Sequence, residues 1–125
     1  MNAETEISLR IGHIELFASD PTATMRFYTD VLGFKLVEVQ PGPHVWLTCG
    51  SQEILLRPNR KAPPPGEYND SSVALVLYTD DFAQTCRVLT ERGLKFGGPD
   101  RTGKSATFSD PDGNWFQLVD PRDFG

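Results

Sequence analysis

The chain has 125 residues, of which 23% are charged and 38% hydrophobic, and it carries a net charge of −5 from 12 basic and 17 acidic side chains. This is one domain's worth of chain, long enough to bury a core without disulfide or metal staples. The acidic balance argues against nucleic acid and anionic membranes as partners, because both need clustered Lys and Arg, and no apolar run approaches the ~20 residues that span a bilayer.

Residues 11–18 alternate on a two-residue period and predict a strand. Asp20-Pro21 then opens a helix, since Asp accepts from an orphaned N–H at the N-cap and Pro suits the first helical position. Met25, Tyr28 and Leu32, with Phe27 and Val31, form its apolar stripe, and Gly33 supplies a left-handed residue at its end. Strands follow at about 34–39, 44–49 and 53–57. The stretch PNRKAPPPGEYNDS is too rich in Pro, Asn and charge for a regular element and reads as a linker. VALVLYT then begins another strand. Asp80 or Asp81 caps a second helix with an inner stripe of Phe82, Cys86 and Leu89 beside Val88, and Gly93 ends it. Further strands are expected near 94–97, 104–108 and 115–119, the last two joined by the tight turn DPDGN, which Asp110 caps.

The chain thus repeats itself. Asp20 to Gly33 and Asp80 to Gly93 are both thirteen positions, and the copies lie sixty residues apart. Each copy reads as β-α-β-β-β, which places two tandem modules, 10–58 and 72–121, around a linker at 59–71 in one α+β domain. The opening MNAETEISLR has neither the basic flank nor the apolar core of a signal peptide. Cys49 and Cys86 are too few for a disulfide framework or a zinc ribbon and read as reduced and packed, so a cytoplasmic location is expected.

Two such modules, with FYTDVLGF in the first and FSDPDGNWFQLVDP closing the second, resemble the vicinal oxygen chelate superfamily of glyoxalase I, extradiol dioxygenases, fosfomycin resistance enzymes and bleomycin resistance proteins. The resemblance covers residues 10–121 and implies curved mixed sheets paired into a cup around a ligand, in a homodimer with clefts between subunits. In metalloenzymes of the family, the metal ligands come from the first and last strands of each module. Carried onto this chain, those positions are His13, Val73, Leu55 and Gln117. Val and Leu have no lone pair to offer a divalent ion. No tightly held cofactor is therefore expected. If a metal such as Zn, Ni, Fe or Mn does bind, a register two residues away puts Glu53 beside His13 and Gln117 as its three ligands.

Strand alternation sends Ile14, Leu16 and Ala18 toward the helices and His13, Glu15 and Phe17 toward the cup. The same parity adds His44, Trp46 and Thr48; Glu53 and Arg57; Leu75 and Leu77; and Trp115, Gln117 and Val119. An apolar and aromatic lining with a few polar groups suits a small-molecule pocket. Plainer roles stand beside these. Trp46 and Trp115 fit core or interface packing as well as stacking. His13 fits a bond to backbone or water, and His44 and Arg57 fit the surface or the rim. Glu15 on an inward face needs solvent, a cation or a partner such as Arg57. Candidate ligand-binding residues are thus His13, Glu15, Phe17, Trp46, Glu53, Arg57, Trp115 and Gln117.

Two functions follow. The first is a binding protein of the bleomycin-resistance type, holding an organic ligand, cationic or aromatic, in a dimer cleft and doing no chemistry. The alternative is a metal-dependent glyoxalase-like lyase or extradiol-type dioxygenase. A third option is a metal-free enzyme with His13 or Glu15 as general base. No phosphate loop, nucleophile elbow, C-x-x-C or H-E-x-x-H motif is present.

Overall fold

The computed structural model describes residues 5–58, 66–97 and 104–123. The first module runs β1 (Ile14–Phe17), α1 (Pro21–Arg26), β2 (Lys35–Gln40), β3 (His44–Cys49) and β4 (Gln52–Arg57). The second runs β5 (Leu75–Tyr78), α2 (Phe82–Glu91), β6 (Ser105–Ser109) and β7 (Trp115–Val119). Each module folds its own mixed sheet. The first has the order β1-β4-β3-β2 and the second β5-β7-β6. In both, the first strand lies parallel to the last, with Ile14 opposite Ile54 and Leu75 opposite Phe116, and the remaining pairs are antiparallel. The fold is α+β, built from two tandem modules.

Residues 94–97 do not form the expected strand. They make one ladder-like bond, Gly97 N–H to the Thr107 carbonyl at 2.7 Å, and the following residues, 98–103, lie outside the described ones. Most of the linker, 59–65, lies outside them too, and a single 3-10 turn at Tyr68–Asp70 precedes the second module.

The repeat is offset by sixty-one residues at its start and by sixty at its end. Asp20 caps α1 by accepting from Ala23 N–H, and the equivalent cap on α2 is Asp81, which accepts from Gln84 N–H. Both helices nonetheless end on a glycine with positive φ, Gly33 at 79° and Gly93 at 99°. The first module must therefore fit one more residue between cap and glycine. It does so by widening its last turn, Phe27–Val31, into a π-helical turn in which Leu32 N–H reaches back to the Phe27 carbonyl.

A single core joins the modules. Tyr28, Phe34, Val45, Leu47, Ile54 and Leu56 from the first pack with Leu89, Leu94, Phe108, Phe116 and Leu118 from the second. Phe108 and Phe116, opposite each other on β6 and β7, stack with ring centroids 5.1 Å apart. The DPDGN turn fastens this core. Asp110 accepts from the backbone N–H of Asp112 and Asn114, as a turn cap should, and its other oxygen accepts from the Tyr28 hydroxyl at 2.6 Å. Asp112 accepts from the Thr24 hydroxyl at 2.5 Å and from Ser19 N–H, and the Asn114 amide donates to the Phe17 carbonyl. Arg92, at the end of α2, donates to the Val31 carbonyl at the end of α1.

Candidate functional site

Because both sheets turn their helix-side residues into the shared core, their opposite faces look outward. On the first sheet, Ile14, Leu16, Val45, Leu47, Ile54 and Leu56 belong to the core. The alternate residues Glu15, Phe17, His44, Trp46, Thr48, Glu53, Leu55 and Arg57 then share the other face. Sheet register sets Leu55 between Glu15 on β1 and Trp46 on β3.

Four of the expected residues form one connected group there. His13 Nε2 lies 2.6 Å from a Glu15 oxygen, and the other Glu15 oxygen accepts from Arg57 at 3.3 Å. The His13 ring meets Trp46 edge-on, with centroids 4.8 Å apart and planes at 65°. The Trp46 indole N–H donates to the Gln40 side chain at 3.0 Å, which fixes the ring's orientation. Glu15 is an acceptor as a carboxylate, so the imidazole donates to it from Nε2. The hydrogen bond from His13 and the charge of Arg57 hold the Glu15 carboxyl below its ordinary value, against some desolvation.

Beside this group, between β1 and the start of the second module, is a cavity of ≈ 260 Å³ whose walls include Glu15, Phe17 and Trp115. Trp115 is packed edge-on against Tyr68 at 6.2 Å. Glu53 is exposed on the same face, opposite Thr48. His44 instead turns back onto its own hairpin, with Nδ1 3.0 Å from the Pro41 carbonyl.

Gln117 belongs elsewhere. It lies on the second sheet, opposite Val76 and Thr107, and lines a shallow hollow with Val76, Tyr78 and Val119. This corrects the parity expected for β5. Leu75 and Leu77 pack against the core, and Val76 and Tyr78 face outward at 48% and 73% exposure. The run VALVL is apolar throughout, so alternation could not reveal its inner face; the Asp81 cap could have. The same one-residue shift makes Ala74, not Val73, the counterpart of His13, since Ala18 and Thr79 donate to equivalent carbonyls of Arg57 and Val119.

The donor set does not fit a conventional divalent-metal site. Ala74 and Leu55 are hydrocarbon, Gln117 offers only an amide, and the His13 and Glu15 donors are turned toward each other and Arg57. Among the described residues, no three His, Cys, Asp or Glu side chains are grouped to hold an ion. Both cysteines are free, and burial pushes their thiols above the ordinary value, away from reactivity. No described helix is long and apolar enough to cross a membrane.

Comparison with known proteins gives this architecture a family. Residues 10–118 match the model of the Glyoxalase/Bleomycin resistance protein/Dioxygenase superfamily. The chain belongs to this superfamily. Among solved structures it is similar to TnmS3, an antibiotic binding protein from Streptomyces sp. CB03234, at 31% identity and a TM-score of 0.67, with 90% of this chain and 98% of that one covered. It is also similar to virulence protein STM3117 from Salmonella typhimurium, at 30% identity and TM-score 0.66, covering 92% of this chain and 98% of that one. A lactoylglutathione lyase from Agrobacterium tumefaciens shares the fold, with a TM-score of 0.70 at 23% identity over 95% of this chain and 98% of that one.

Proposed function

We propose that this protein binds a small aromatic organic molecule against the Trp46–His13 wall, in a cup completed by a second copy of the chain, and does no chemistry on it. It acts in the cytoplasm by sequestering the ligand. One observation carries the reading. Two positions where metalloenzymes of the superfamily place ligands hold Leu55 and Ala74, while the same face offers an oriented indole, an imidazole and a guanidinium. Such a wall stacks a flat ring and hydrogen-bonds its edge. The antibiotic-binding neighbour TnmS3 supports the same class of function. Aromatic character matters more than positive charge here, because Glu15 already has Arg57 and His13 as partners, and a cationic ligand would have to displace them.

The test is a fluorescence titration with a panel of flat aromatic compounds, alongside metal analysis of the purified protein. Saturable quenching that Trp46→Ala abolishes and chelator leaves unchanged is expected. About one equivalent of metal per chain, with turnover that chelator stops, would establish the metal-dependent enzyme instead.

A further inference from the structure

Strand register orders the outward face of the first sheet into rows. One row sets Lys35, Thr48 and Glu53 side by side, and the next sets Glu38, Trp46, Leu55 and Glu15. The end row pairs Gln40 with His44 and Phe17 with Arg57, one step past the Val45–Leu56 pair. Every carboxylate that β1 to β4 carry falls in the first two rows. Lys35 therefore shares its row with Glu53, whereas Arg57 stands at an edge whose own row has no carboxylate.

Arg57 is also loosely held. Its side chain is 41% exposed, and among the described residues its guanidinium makes one contact, from Nη1 to a Glu15 oxygen at 3.3 Å. Glu15 has a shorter partner in His13, at 2.6 Å. A guanidinium carries five N–H donors in a planar fork, so most of this one is left for an anion. Beside it the surface suits a ring. The Trp46 indole is fixed by its bond to Gln40, Leu55 is covered at 4% exposure, and Phe17 is 46% exposed.

We infer that the ligand of this face is an aromatic acid, with its ring against Trp46 and its carboxylate in the Arg57 fork. The inference deepens the function proposed above and rests on its reading that a flat ring stacks on Trp46. The fork sets the sign of the ligand's charge, and the rows set its direction. An acid group at the opposite end would meet Glu53, and one over the middle row would meet Glu15 and Glu38. A carboxylate matches the fork with two parallel N–H···O bonds. An amide of the same shape turns its own N–H donors toward the fork and loses one of the two. The net charge of −5 repels an anion at long range, but salt screens that beyond ~8 Å, and the fork acts at contact. Glu15 limits the affinity, because it competes for the same guanidinium.

Isothermal titration calorimetry on the full chain at pH 7 compares naphthalene-2-carboxylate, naphthalene-2-carboxamide and 2-naphthylmethylammonium. The carboxylate should bind about ten-fold or more tighter than the amide, and the ammonium most weakly. Arg57→Gln should abolish the difference between acid and amide. Glu15→Gln should widen it by removing the competing carboxylate, a gain that damage to the fold does not produce. Trp46→Ala should weaken acid and amide alike. Equal binding of acid and amide, or a preference that Arg57→Gln leaves intact, would overturn the aromatic acid while sparing the aromatic ligand. Tightest binding of the ammonium would do the same. No binding of any of the three at millimolar concentration would overturn both.

Discussion

Replacing Tyr28 with Phe tests the joint between the modules. Tyr28 is fully buried, and its hydroxyl donates to Asp110 at 2.6 Å. Burial and the Asp110 charge push the phenol well above its ordinary value, so it is a permanent donor. A hydrogen bond to a charged group contributes ~1.5–3 kcal/mol, and at this chain length that is a fall in Tm of about 6–12 °C. The deficit should depend on pH. Burial raises the Asp110 carboxyl above its ordinary 3.8, while the bonds from Tyr28 and Asn114 pull it down. The native chain therefore takes up this proton more readily than the unfolded chain does. The contribution of Asp110 to stability falls as pH rises from 3.8 through the raised folded value and is level above it. Removing the Tyr28 hydroxyl removes one of the lowering bonds and raises Asp110 further. The gap between wild type and Tyr28→Phe should then be widest at pH 7 and narrow in acid, where the carboxyl is neutral in both. Differential scanning calorimetry across pH 4–7 measures it. A gap below about 2 °C at pH 7, or one of equal size at both ends, would refute the reasoning.

Glu15→Gln should flatten the acid limb of stability. The folded carboxyl lies below its ordinary 4.5, so its contribution is present above that value and is lost as pH falls through the lower folded one. Denaturant melts from pH 7 to pH 3 should show wild type losing stability below pH 4.5 where the variant loses less, and superimposable limbs would contradict the ion pair. Asp81→Ala should cost ~1 kcal/mol by removing the α2 cap, whereas Asp80→Ala, which keeps the carbonyl that Arg122 uses, should change stability by less than ~0.5 kcal/mol. The reverse order in a melt would restore the sixty-residue register at the helix start.

Much of the fold is legible in the sequence because local chemistry marks it. Caps, end glycines and alternating strands locate both helices and six of the seven strands to within a residue or two; β1 begins three residues later than its alternation predicts, and the strand expected at 94–97 is not formed. The failures have physical causes. A spacing of thirteen in both copies conceals a π turn, because Asp80 and Asp81 are adjacent and either satisfies a cap motif. Parity fails on β5, where every residue of the run is apolar. On β1, where Glu15 and Phe17 alternate with Ile14 and Leu16, parity succeeds and places the His13–Glu15–Arg57 group correctly. An apolar groove of ≈ 490 Å³ between the modules was not legible at all, since its walls come from both of them and nothing in one stretch of chain encodes the space between.

The clasp explains why FYTDVLGF and DPDGN occur together in one chain. Tyr28 lies in the first phrase and Asp110, Asp112 and Asn114 in the second, and their side chains meet across the junction of the modules. A carboxylate as buried as Asp110 is costly unless its oxygens are satisfied. Two backbone N–H groups, the Asn114 amide and a phenol from the other module supply its partners. The turn can therefore close fully only when α1 is in place, which ties the last hairpin of one module to the helix of the other. That coupling also bears on where the proposed ligand can sit. With most helix-side residues of both sheets taken into a common core, the described residues present two outward sheet faces, the Trp46 face of the first and the Tyr78 face of the second. One chain leaves Phe17, Val76 and Tyr78 in solvent on those faces. A ligand held there by one sheet alone would keep its far side wet, so burying it calls for a second surface, the part that the proposed function gives to a second copy.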